Sequence, residues 1–480
     1  MARAAARVVL SDIARFAAAG GRPLRPYQAE CARAICRSVR RVDGRVFTVM
    51  FARQMGKNET SAQLEAYLLT LYAQRGGGIV KAAPSFKPQT INSMLRLKET
   101  LERSPLTRRL WRPEHGYMVR VGDASIAFFS ADRKANVVGA TAGLLLEIDE
   151  AQDVDPDKYD REFRPMASST NATTVLYGTA WAEDSILERQ RRINLEHEAR
   201  TGERLHYEYD WTHLAALNER YRAFVRREIE RLGPEHPSIR TQYLLQTLTD
   251  AGRLFSAEQL AALRGAHPQE GAPEPGALYV AGVDVAGEDE QAEDAAMRLA
   301  APRRDSTVVT IAAVTRNTAG QPVARVVDHV WWTGRSQVWQ YEHLLQLWDR
   351  WGFARVCVDA SGIGAGLASF LAARRGERVE RITFSAALKS RLGYDLLAMI
   401  NTGRLSLYRG EGPEIRECLA ELRACRYHLR AAEQLAWAVP ETEGHDDFVV
   451  SLALAARAAE SLVPPAAGGM IRPTAEETGW

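Results

Sequence analysis

Residues in the first half of the chain have the types and spacing of a phosphate-binding loop. Gly56 and Lys57 follow the β-rich run 46–51 and precede a helical pattern. Backbone N–H groups at a helix start bind phosphate oxygens, and a lysine there reaches the β- and γ-phosphates. A later apolar run, GLLLEIDEAQDV, ends in Asp149 and Glu150. These acids predict a magnesium ligand and a base that polarises the attacking water, respectively.

The loop sequence ARQMGKNE departs from the usual pattern at two positions. Phe51 stands where the first glycine is usual, and Asn58 stands where a serine or threonine would hold magnesium. Lys57 is nevertheless one of only seven lysines in a chain that otherwise uses arginine. The Asp-Glu pair supports the nucleotide-binding interpretation independently, because open α/β sheets bind ligands at the carboxyl ends of their strands.

Two further candidates flank these residues, and each has an ordinary structural alternative. Gln28 precedes the loop and could read an adenine edge or begin a surface helix. Thr179 follows the β-rich run 173–178 and could sense the γ-phosphate or belong to a plain turn.

Four acidic residues in the second half form a different pattern. Asp284 and Asp359 each end a β-rich run, whereas Asp446 and Asp447 begin the last helical pattern. One such aspartate is usually a turn residue or a helix N-cap. Their order, however, predicts a carboxylate cluster that holds two divalent cations, one activating water and the other stabilising the leaving oxygen. Hard oxygen ligands suit Mg²⁺ or Mn²⁺.

The elements that must position these residues alternate between β-rich and amphipathic stretches, which predicts an α/β fold with largely parallel sheets. The strands predicted from the sequence are 46–51, 79–83, 117–121, 125–130, 143–149, 173–178, 278–284, 306–314, 323–332, 354–359, 379–384 and 404–408. The predicted helices are 57–74, 88–103, 183–200, 337–351, 363–374, 387–400, 413–428 and 446–462.

Composition excludes several classes of protein. The 480 residues are 25% charged and 46% hydrophobic, which excludes wholesale disorder. We expect no membrane-spanning segment and no secretory signal. Five scattered cysteines without a CxxC pair indicate neither a disulfide framework nor a zinc site, and they fit a reducing cytosol. A net charge of +2 does not indicate a nucleic-acid-binding protein. The arginine excess reflects either genomic base composition or phosphate contacts.

The motifs ARQMGKNE, LLLEIDEAQ and YGTA, in this order, resemble the ATPase domain of phage large terminase subunits, the motors that pump DNA into capsids. The order of acids in the second half is similar to the RNase H-like nuclease domain that follows the ATPase in that family. The resemblance covers residues 20–462 and implies an α/β fold: a P-loop (ASCE, RecA-like) ATPase domain, then an RNase H-like nuclease domain.

The resemblance implies ATP and Mg²⁺ as cofactors, with Mn²⁺ as an alternative at the nuclease site. It implies these ATP-binding residues: Gln28, Arg53, Gln54, Gly56, Lys57, Asn58, Asp149 and Thr179. The metal ligands that it implies are Asp149, Asp284, Asp359, Asp446 and Asp447. Glu150 is the implied catalytic base, and the implied nuclease triad consists of Asp284, Asp359 and Asp447, with Asp446 as a second ligand or a cap.

The family also uses an arginine finger, for which Arg133 is the candidate, although spacing does not select it over Arg161 or Arg164. The acidic insertion 286–304 departs from the short hairpin expected between the first two strands of a nuclease domain. Asp305 occupies a recurring acidic position after it. The sequence SGIGAG after Asp359 predicts either close approach to a DNA phosphate or a plain turn.

These patterns divide the chain into an ATPase domain with a helical extension (1–250), a Gly- and Pro-rich linker (251–276), a nuclease domain (277–463) and a flexible tail (464–480). By resemblance, we expect an ATP-driven translocase of double-stranded viral DNA that also cleaves DNA concatemers. The implied partners are a small terminase subunit, a portal protein and copies of the chain in a pentameric ring. The implied location is the host cytoplasm and, transiently, the procapsid, but not the mature virion. The alternatives are a helicase or repair translocase with an appended nuclease, and an inactive prophage relic that only binds DNA or capsid components.

Overall fold

The computed structural model describes residues 2–135, 137, 139–249, 251–287, 306–430 and 433–462. Within these ranges the chain forms two units. The first comprises residues 2–226 and 240–249, and the second comprises residues 227–239 and 251–462. No helix in the described part of the chain combines the length and the apolar character that a bilayer span requires.

The first unit is built on an eight-stranded sheet. Its strands are β1 Val46–Phe51, β2 Gly77–Ala83, β3 Trp111–Glu114, β4 Met118–Val121, β5 Ala124–Ser130, β6 Leu145–Ile148, β7 Thr173–Gly178 and β8 His206–Tyr209. Their spatial order is β3-β4-β5-β2-β6-β7-β1-β8. All neighbours are parallel except the edge pairs β3–β4 and β4–β5. Strands β1 and β7 are almost entirely buried, as expected for parallel strands covered on both faces.

Helices precede, connect and follow these strands along the chain. They are α1 Ala2–Val9, α2 Ile13–Ala19, α3 Pro26–Arg41, α4 Lys57–Leu71, α5 Ile91–Arg103, α6 Pro156–Lys158, α7 Ile186–Thr201, α8 Trp211–Ala215, α9 Glu219–Leu232 and α10 Pro237–Gln242. The sequence predictions for α4, α5 and α7 are therefore confirmed in type and position. Pro26 at the first turn of α3 suits a helix start, because proline has no N–H to leave unpaired there.

The second unit contains a seven-stranded mixed sheet and a small three-stranded one. The strands are β9 Ala251–Arg253, β10 Arg264–Pro268, β11 Leu278–Asp284, β12 Ser306–Arg316, β13 Pro322–Thr333, β14 Arg355–Asp359, β15 Val379–Ile382, β16 Leu405–Arg409, β17 Arg426–Arg430 and β18 Gln434–Ala438. The order is β10-β16-β13-β12-β11-β14-β15 in the large sheet and β18-β17-β9 in the small one. Strands β11 to β13 form an antiparallel meander, whereas β14 and β15 continue the sheet in parallel with β11.

The helices of the second unit are α11 Ala257–Ala262, α12 Gln337–Trp351, α13 Gly364–Arg375, α14 Ala386–Asn401, α15 Pro413–Ala424 and α16 Asp447–Ser461. Most of α16 is buried, from Asp447 to Ala459. This helix packs on the central strands of the large sheet. The two units together confirm the predicted α/β class.

Two segments show how the structure departs from the sequence expectation. Residues 251–276, predicted as a linker, contain β9, α11 and β10, because β9 pairs with β17 and β10 pairs with β16. The predicted helix 413–428 ends at Ala424, and Arg426 starts a strand that pairs with β18 instead. Both differences arise from strand pairing that local composition does not encode. The predicted tail 464–480 lies outside the described residues.

Candidate functional site

The loop between β1 and α4 has the backbone shape of an anion-binding turn. Gln54 and Gly56 both adopt left-handed conformations, with φ of +63° and +88°. Gly56 also has no room for a side chain, since a Cβ there would lie 2.5 Å from Gln28 Nε2. Helix α4 begins directly at Lys57, so the unpaired N–H groups of its first turn point back towards the loop. Such a helix start can bind the phosphates of a nucleotide.

Lys57 contacts both acids that the sequence predicted for the same nucleotide site. Its Nζ lies 2.6 Å from Glu150 Oε1 and 3.4 Å from Asp149 Oδ1. This is possible because β7 alone separates β1, which leads into the loop, from β6, which ends one residue before Asp149. Parallel strands therefore bring the loop and the acids to one edge of the sheet.

Electrostatic interactions favour the charged forms of Lys57 and Asp149. Burial opposes the charged form of Asp149, but Lys57 and Lys81 outweigh it, and the pKa of Asp149 is lowered. Burial likewise opposes the charged form of Lys57, but Glu150 and Asp149 outweigh it and raise the pKa of the lysine. The loop thus presents a charged Lys57 ammonium group, and a positive charge is what phosphate binding requires.

Glu150 is held by an unusual backbone and by a residue that the sequence did not identify. Its φ of +47° is rare for a residue with a side chain. Asp149 Oδ1 accepts its N–H at 3.1 Å, and Gln152 Nε2 donates to Glu150 Oε2 at 2.8 Å. The N–H of Thr179 in turn donates to Gln152 Oε1 at 3.4 Å. Gln152 thereby joins two predicted residues from different strand ends.

Gln28 and Arg53 support the loop from two sides. Gln28 is 2% exposed, and its Nε2 donates to the carbonyl oxygens of Met55 and Gly56 at 3.3 and 3.2 Å. The structure therefore places this amide against the loop, and the predicted adenine contact stays a prediction. Arg53 donates its guanidinium to the side chain of Gln242, the last residue of α10, and Tyr221 donates its hydroxyl to the Arg53 carbonyl at 2.8 Å.

Asn58 and Arg133 are the two candidates whose sequence assignment was weakest. Asn58 Oδ1 is buried without a hydrogen-bond partner among the described residues. An amide oxygen is an acceptable ligand for Mg²⁺ or its bound water, so the donor set of Asp149 and Asn58 fits a nucleotide-bound magnesium. Arg133 has a side chain that is 81% exposed, and its guanidinium pairs with Asp155. Its role as an arginine finger stays a prediction.

The second-half acids converge at one end of the central strands. Strands β11 and β14 are parallel neighbours, with Val283 opposite Val358, so Asp284 and Asp359 end adjacent strands. Asp447 is the first residue of α16. Its Oδ2 accepts the N–H of Ser306, the first residue of β12, at 2.7 Å. Three separate elements thus deliver carboxylates to one place.

The carboxylates are close enough to repel one another. Burial raises the pKa of Asp284 well above its usual value, and the charges of Asp447, Asp359 and Asp446 add to it. Burial also raises the pKa of Asp359, whose Oδ1 accepts the N–H of Ser361 at 2.7 Å. Among the described residues, no three His, Cys, Asp or Glu side chains stand in a geometry that could hold a metal ion. An all-carboxylate set under mutual repulsion nevertheless fits a divalent cation by its chemistry.

Lys389 and Glu421 belong to this cluster and were missed by sequence reasoning. Lys389 Nζ lies 3.0 Å from Asp446 Oδ2 and 4.8 Å from the centre of the Trp437 ring. Glu421 Oε2 accepts the N–H groups of Phe448 and Val449, at the start of α16. The rarity of lysine in this chain was the only sequence signal for Lys389. The position of Glu421, inside an ordinary amphipathic helix, offered none.

The remaining predictions concern the segments around these acids. Gly364, within the SGIGAG sequence, packs closely, since a Cβ there would lie 2.3 Å from the carbonyl oxygen of Asp359. Close packing within the turn is therefore one reason for a glycine at this position, which supports the plain-turn interpretation of SGIGAG. Asp305 and most of the insertion 286–304 lie outside the described residues.

Comparison with solved structures finds phage large terminases. A large terminase from a thermophilic bacteriophage has a TM-score of 0.50 and 13% identity, with 89% of this chain and 98% of that chain covered. The HK97 bacteriophage large terminase has a TM-score of 0.41 and 14% identity, with 94% and 99% covered. The large terminase nuclease from thermophilic phage G20c, with bound magnesium, has a TM-score of 0.32 and 23% identity, with 42% and 96% covered.

In sequence, the chain matches no protein-family model and no curated protein. The likeness to the first of these terminases is thus one of structure, and it extends over both units. It confirms the α/β fold expected from the motifs: over both units, the chain has the fold of that phage large terminase.

Proposed function

We propose that this chain is a bacteriophage large terminase subunit, which hydrolyses ATP in its first unit and cleaves DNA in its second. The observation that carries the proposal is the meeting of Lys57 with Asp149 and Glu150 at one sheet edge, in a chain of terminase fold. The cluster of Asp284, Asp359 and Asp447 in the second unit supplies the nuclease part. The fold alone does not require the clustered carboxylates of the second unit, because repulsion between like charges costs stability.

In the proposed ATPase reaction, Lys57 exchanges its carboxylate partners for the β- and γ-phosphates. The N–H groups at the start of α4 bind the same phosphates. This exchange releases one oxygen of Glu150, which then accepts the proton of the attacking water. Asp149 and Asn58 would hold Mg²⁺, which would supply positive charge against the charge that develops on the phosphate oxygens.

In the proposed nuclease reaction, Asp284, Asp359 and Asp447 would hold divalent cations. Those cations would activate water and stabilise the leaving oxygen. The hydrogen bonds from Ser306 to Asp447 and from Ser361 to Asp359 orient two of these carboxylates. Asp446 pairs with Lys389, so we assign Asp447 the ligand role and Asp446 a supporting one.

We further propose that ATP turnover moves double-stranded DNA into a procapsid in the host cytoplasm. The proposed partners are a portal protein, a small terminase subunit and further copies of this chain in a ring.

Arg133 is the residue that we propose as the arginine finger, because its side chain is largely exposed and is held by an ion pair with Asp155 at the surface. Pulldown with portal protein and an ATPase assay, each on wild type and Arg133→Ala, test the two roles separately: we expect full portal binding and low ATPase activity in the variant.

The ATPase proposal is tested in the full chain by Glu150→Gln, which keeps the shape of the side chain and removes the base. We expect DNA-stimulated ATP hydrolysis to fall by about a hundredfold or more while nuclease activity persists. The matched control is Glu196→Gln, on the exposed face of α7. Normal ATPase activity in Glu150→Gln would refute the base assignment.

The nuclease proposal is tested by Asp359→Asn with Mg²⁺ or Mn²⁺ and linear double-stranded DNA. We expect cleavage to disappear and ATPase activity to persist. Asp349→Asn is the control, because Asp349 lies on the exposed surface of the same unit. Cleavage at the wild-type rate in Asp359→Asn would rule out the carboxylate cluster as the active site.

A further inference from the structure

Gln152 lies in a short turn directly after the predicted catalytic acid, and only 7% of its surface is exposed. Glutamine is a flexible residue whose burial costs side-chain entropy, and its amide must be hydrogen-bonded when buried. Both ends of this amide are used, and each end contacts a different strand terminus. These two contacts indicate the role of the Gln152 side chain.

The amide nitrogen of Gln152 holds the Glu150 carboxylate. It donates to Glu150 Oε2 at 2.8 Å, while Lys57 Nζ lies 2.6 Å from Glu150 Oε1. The two oxygens of the predicted base are thus divided between a cation from the loop and an amide from the turn. A nucleotide that attracts Lys57 to its phosphates would leave Gln152 as the group that orients the base.

The amide oxygen of Gln152 contacts the end of β7. It accepts the N–H of Thr179 at 3.4 Å. A Cβ on Gly178 would lie 2.2 Å from this oxygen, so the residue there must be glycine for the amide to fit. Gly178 has no left-handed backbone that would require glycine for another reason, since its φ is not positive. The close approach of Gln152, together with that of Leu187 Cδ2 at 2.5 Å, accounts for this glycine.

We propose that Gln152 is a positioning residue that couples the end of β7 to the orientation of Glu150. A shift of residues 178 and 179 by about one ångström would break the amide contact and release the base from its productive position. The strand end and the catalytic acid are thereby linked through one side chain. This inference rests on the proposed ATPase function and assigns Gln152 the role of orienting the catalytic base Glu150.

The test is steady-state ATP hydrolysis by the full chain carrying Gln152→Met, which keeps the side-chain length and removes both hydrogen bonds. We expect kcat to fall by about tenfold to a hundredfold, while the KM for ATP changes by less than about threefold. A purely structural role would instead lower the melting temperature and raise KM together. Gln74→Met, in an exposed turn of the same unit, is the matched control.

A double-mutant cycle with Gly178→Ala distinguishes coupling from independent damage. The alanine methyl group would collide with Gln152 Oε1, so we expect Gly178→Ala alone to lower kcat. In a Gln152→Ala background the same change should cost at least about threefold less, because the colliding atom is gone. Leu187 Cδ2, 2.5 Å from that Cβ, accounts for any residual cost in both backgrounds.

The outcomes separate this inference from the proposed function. If the wild type hydrolyses ATP, Glu150→Gln is inactive and Gln152→Met retains wild-type kcat, the positioning role is refuted and the ATPase proposal stands. Strictly multiplicative effects of the two changes in the cycle would also refute it. If the wild type fails to hydrolyse ATP with or without DNA, the proposed function fails, and this inference fails with it.

Discussion

A Cβ on Gly282 of β11 would lie 2.1 Å from the carbonyl oxygen of Ser451 in α16. The last helix therefore rests directly on the strand, backbone against backbone, at this one residue. Two residues later the strand ends in Asp284, and one helical turn earlier the helix begins with Asp447. The close packing at Gly282 thus brings two distant carboxylates of the proposed nuclease together.

Substitution of Gly282 by alanine should destabilise the second unit. The added methyl group meets backbone atoms that cannot rotate away, so we expect a loss of about 1–3 kcal/mol or more in the free energy of unfolding. Denaturant unfolding followed by tryptophan fluorescence measures it, because Trp348 and Trp351 are buried in this unit. The control is Gly271→Ala, whose added Cβ has nothing within 4 Å. An unchanged midpoint for Gly282→Ala would contradict the close packing.

Replacement of the two adjacent acids at the start of α16 should have unequal effects. Asp446 forms an ion pair with Lys389, whereas Asp447 is buried and raises the pKa of Asp284 by repulsion. We expect Asp447→Asn to abolish DNA cleavage and Asp446→Asn to reduce it by about tenfold at most. Cleavage assays at several Mg²⁺ concentrations measure both. If Asp446→Asn is the inactive variant, the assignment of the metal ligand must be reversed.

Removal of one partner from a buried ion pair near the proposed nucleotide site should lower the free energy of unfolding. Lys81 Nζ lies 2.7 Å from Glu65 Oε1, and both side chains are almost fully buried. Lys81→Met leaves the Glu65 charge buried and alone, so we expect a loss of about 3–5 kcal/mol in the free energy of unfolding. The double variant Lys81→Met/Glu65→Leu should recover most of this loss, because the Glu65 carboxylate is no longer buried without its cation. A double variant as unstable as the single one would show that packing, not charge, is the cause.

The stability of the second unit should depend on pH through Glu421. Burial, with repulsion from Asp447, raises the pKa of Glu421 from about 4.5 to about 9. The folded state therefore retains a proton that the unfolded chain releases above about pH 4.5, so stability falls as pH rises through this window and levels off above about pH 9. The slope approaches about 1.4 kcal/mol per pH unit for one proton.

Glu421→Gln tests this dependence, because glutamine stays neutral at every pH and its side-chain oxygen can still accept the N–H groups of Phe448 and Val449. We expect the free energy of unfolding, measured in chelator between about pH 5 and 8, to depend less steeply on pH in this variant. An identical slope in both proteins would mean that Glu421 does not hold the proton.

The local elements around both sites could be predicted from sequence because their signals are local. An apolar run that ends in Asp-Glu, or a strand before Gly-Lys, is readable within a short stretch of chain, and Lys57, Asp149 and Glu150 lie together as predicted. Strand β17 was predicted as a helix end, because its pairing depends on β18 and on the distant strand β9.

Other features depend on the order of strands. The sequence could not show that β7 lies between β1 and β6, and this order decides that Thr179 and Glu150 are near enough to share Gln152. Similarly, Lys389 reaches Asp446 only because α14 and the start of α16 lie side by side in the second unit. Neither contact has a sequence pattern that spans the residues involved.

The sequence by itself located the residues that we propose for the chemistry: a lysine after a glycine-containing loop, two acids at a strand end, and three aspartates at strand and helix ends. Each of these residues lies next to a short apolar or helical sequence pattern, and that local pattern suffices to locate it. The tertiary structure alone decided which groups orient them. Hydrogen bonds and ion pairs act over about 3 Å, and only the packing of strands and helices brings residues such as Gln152 and Lys389 within that distance of their partners.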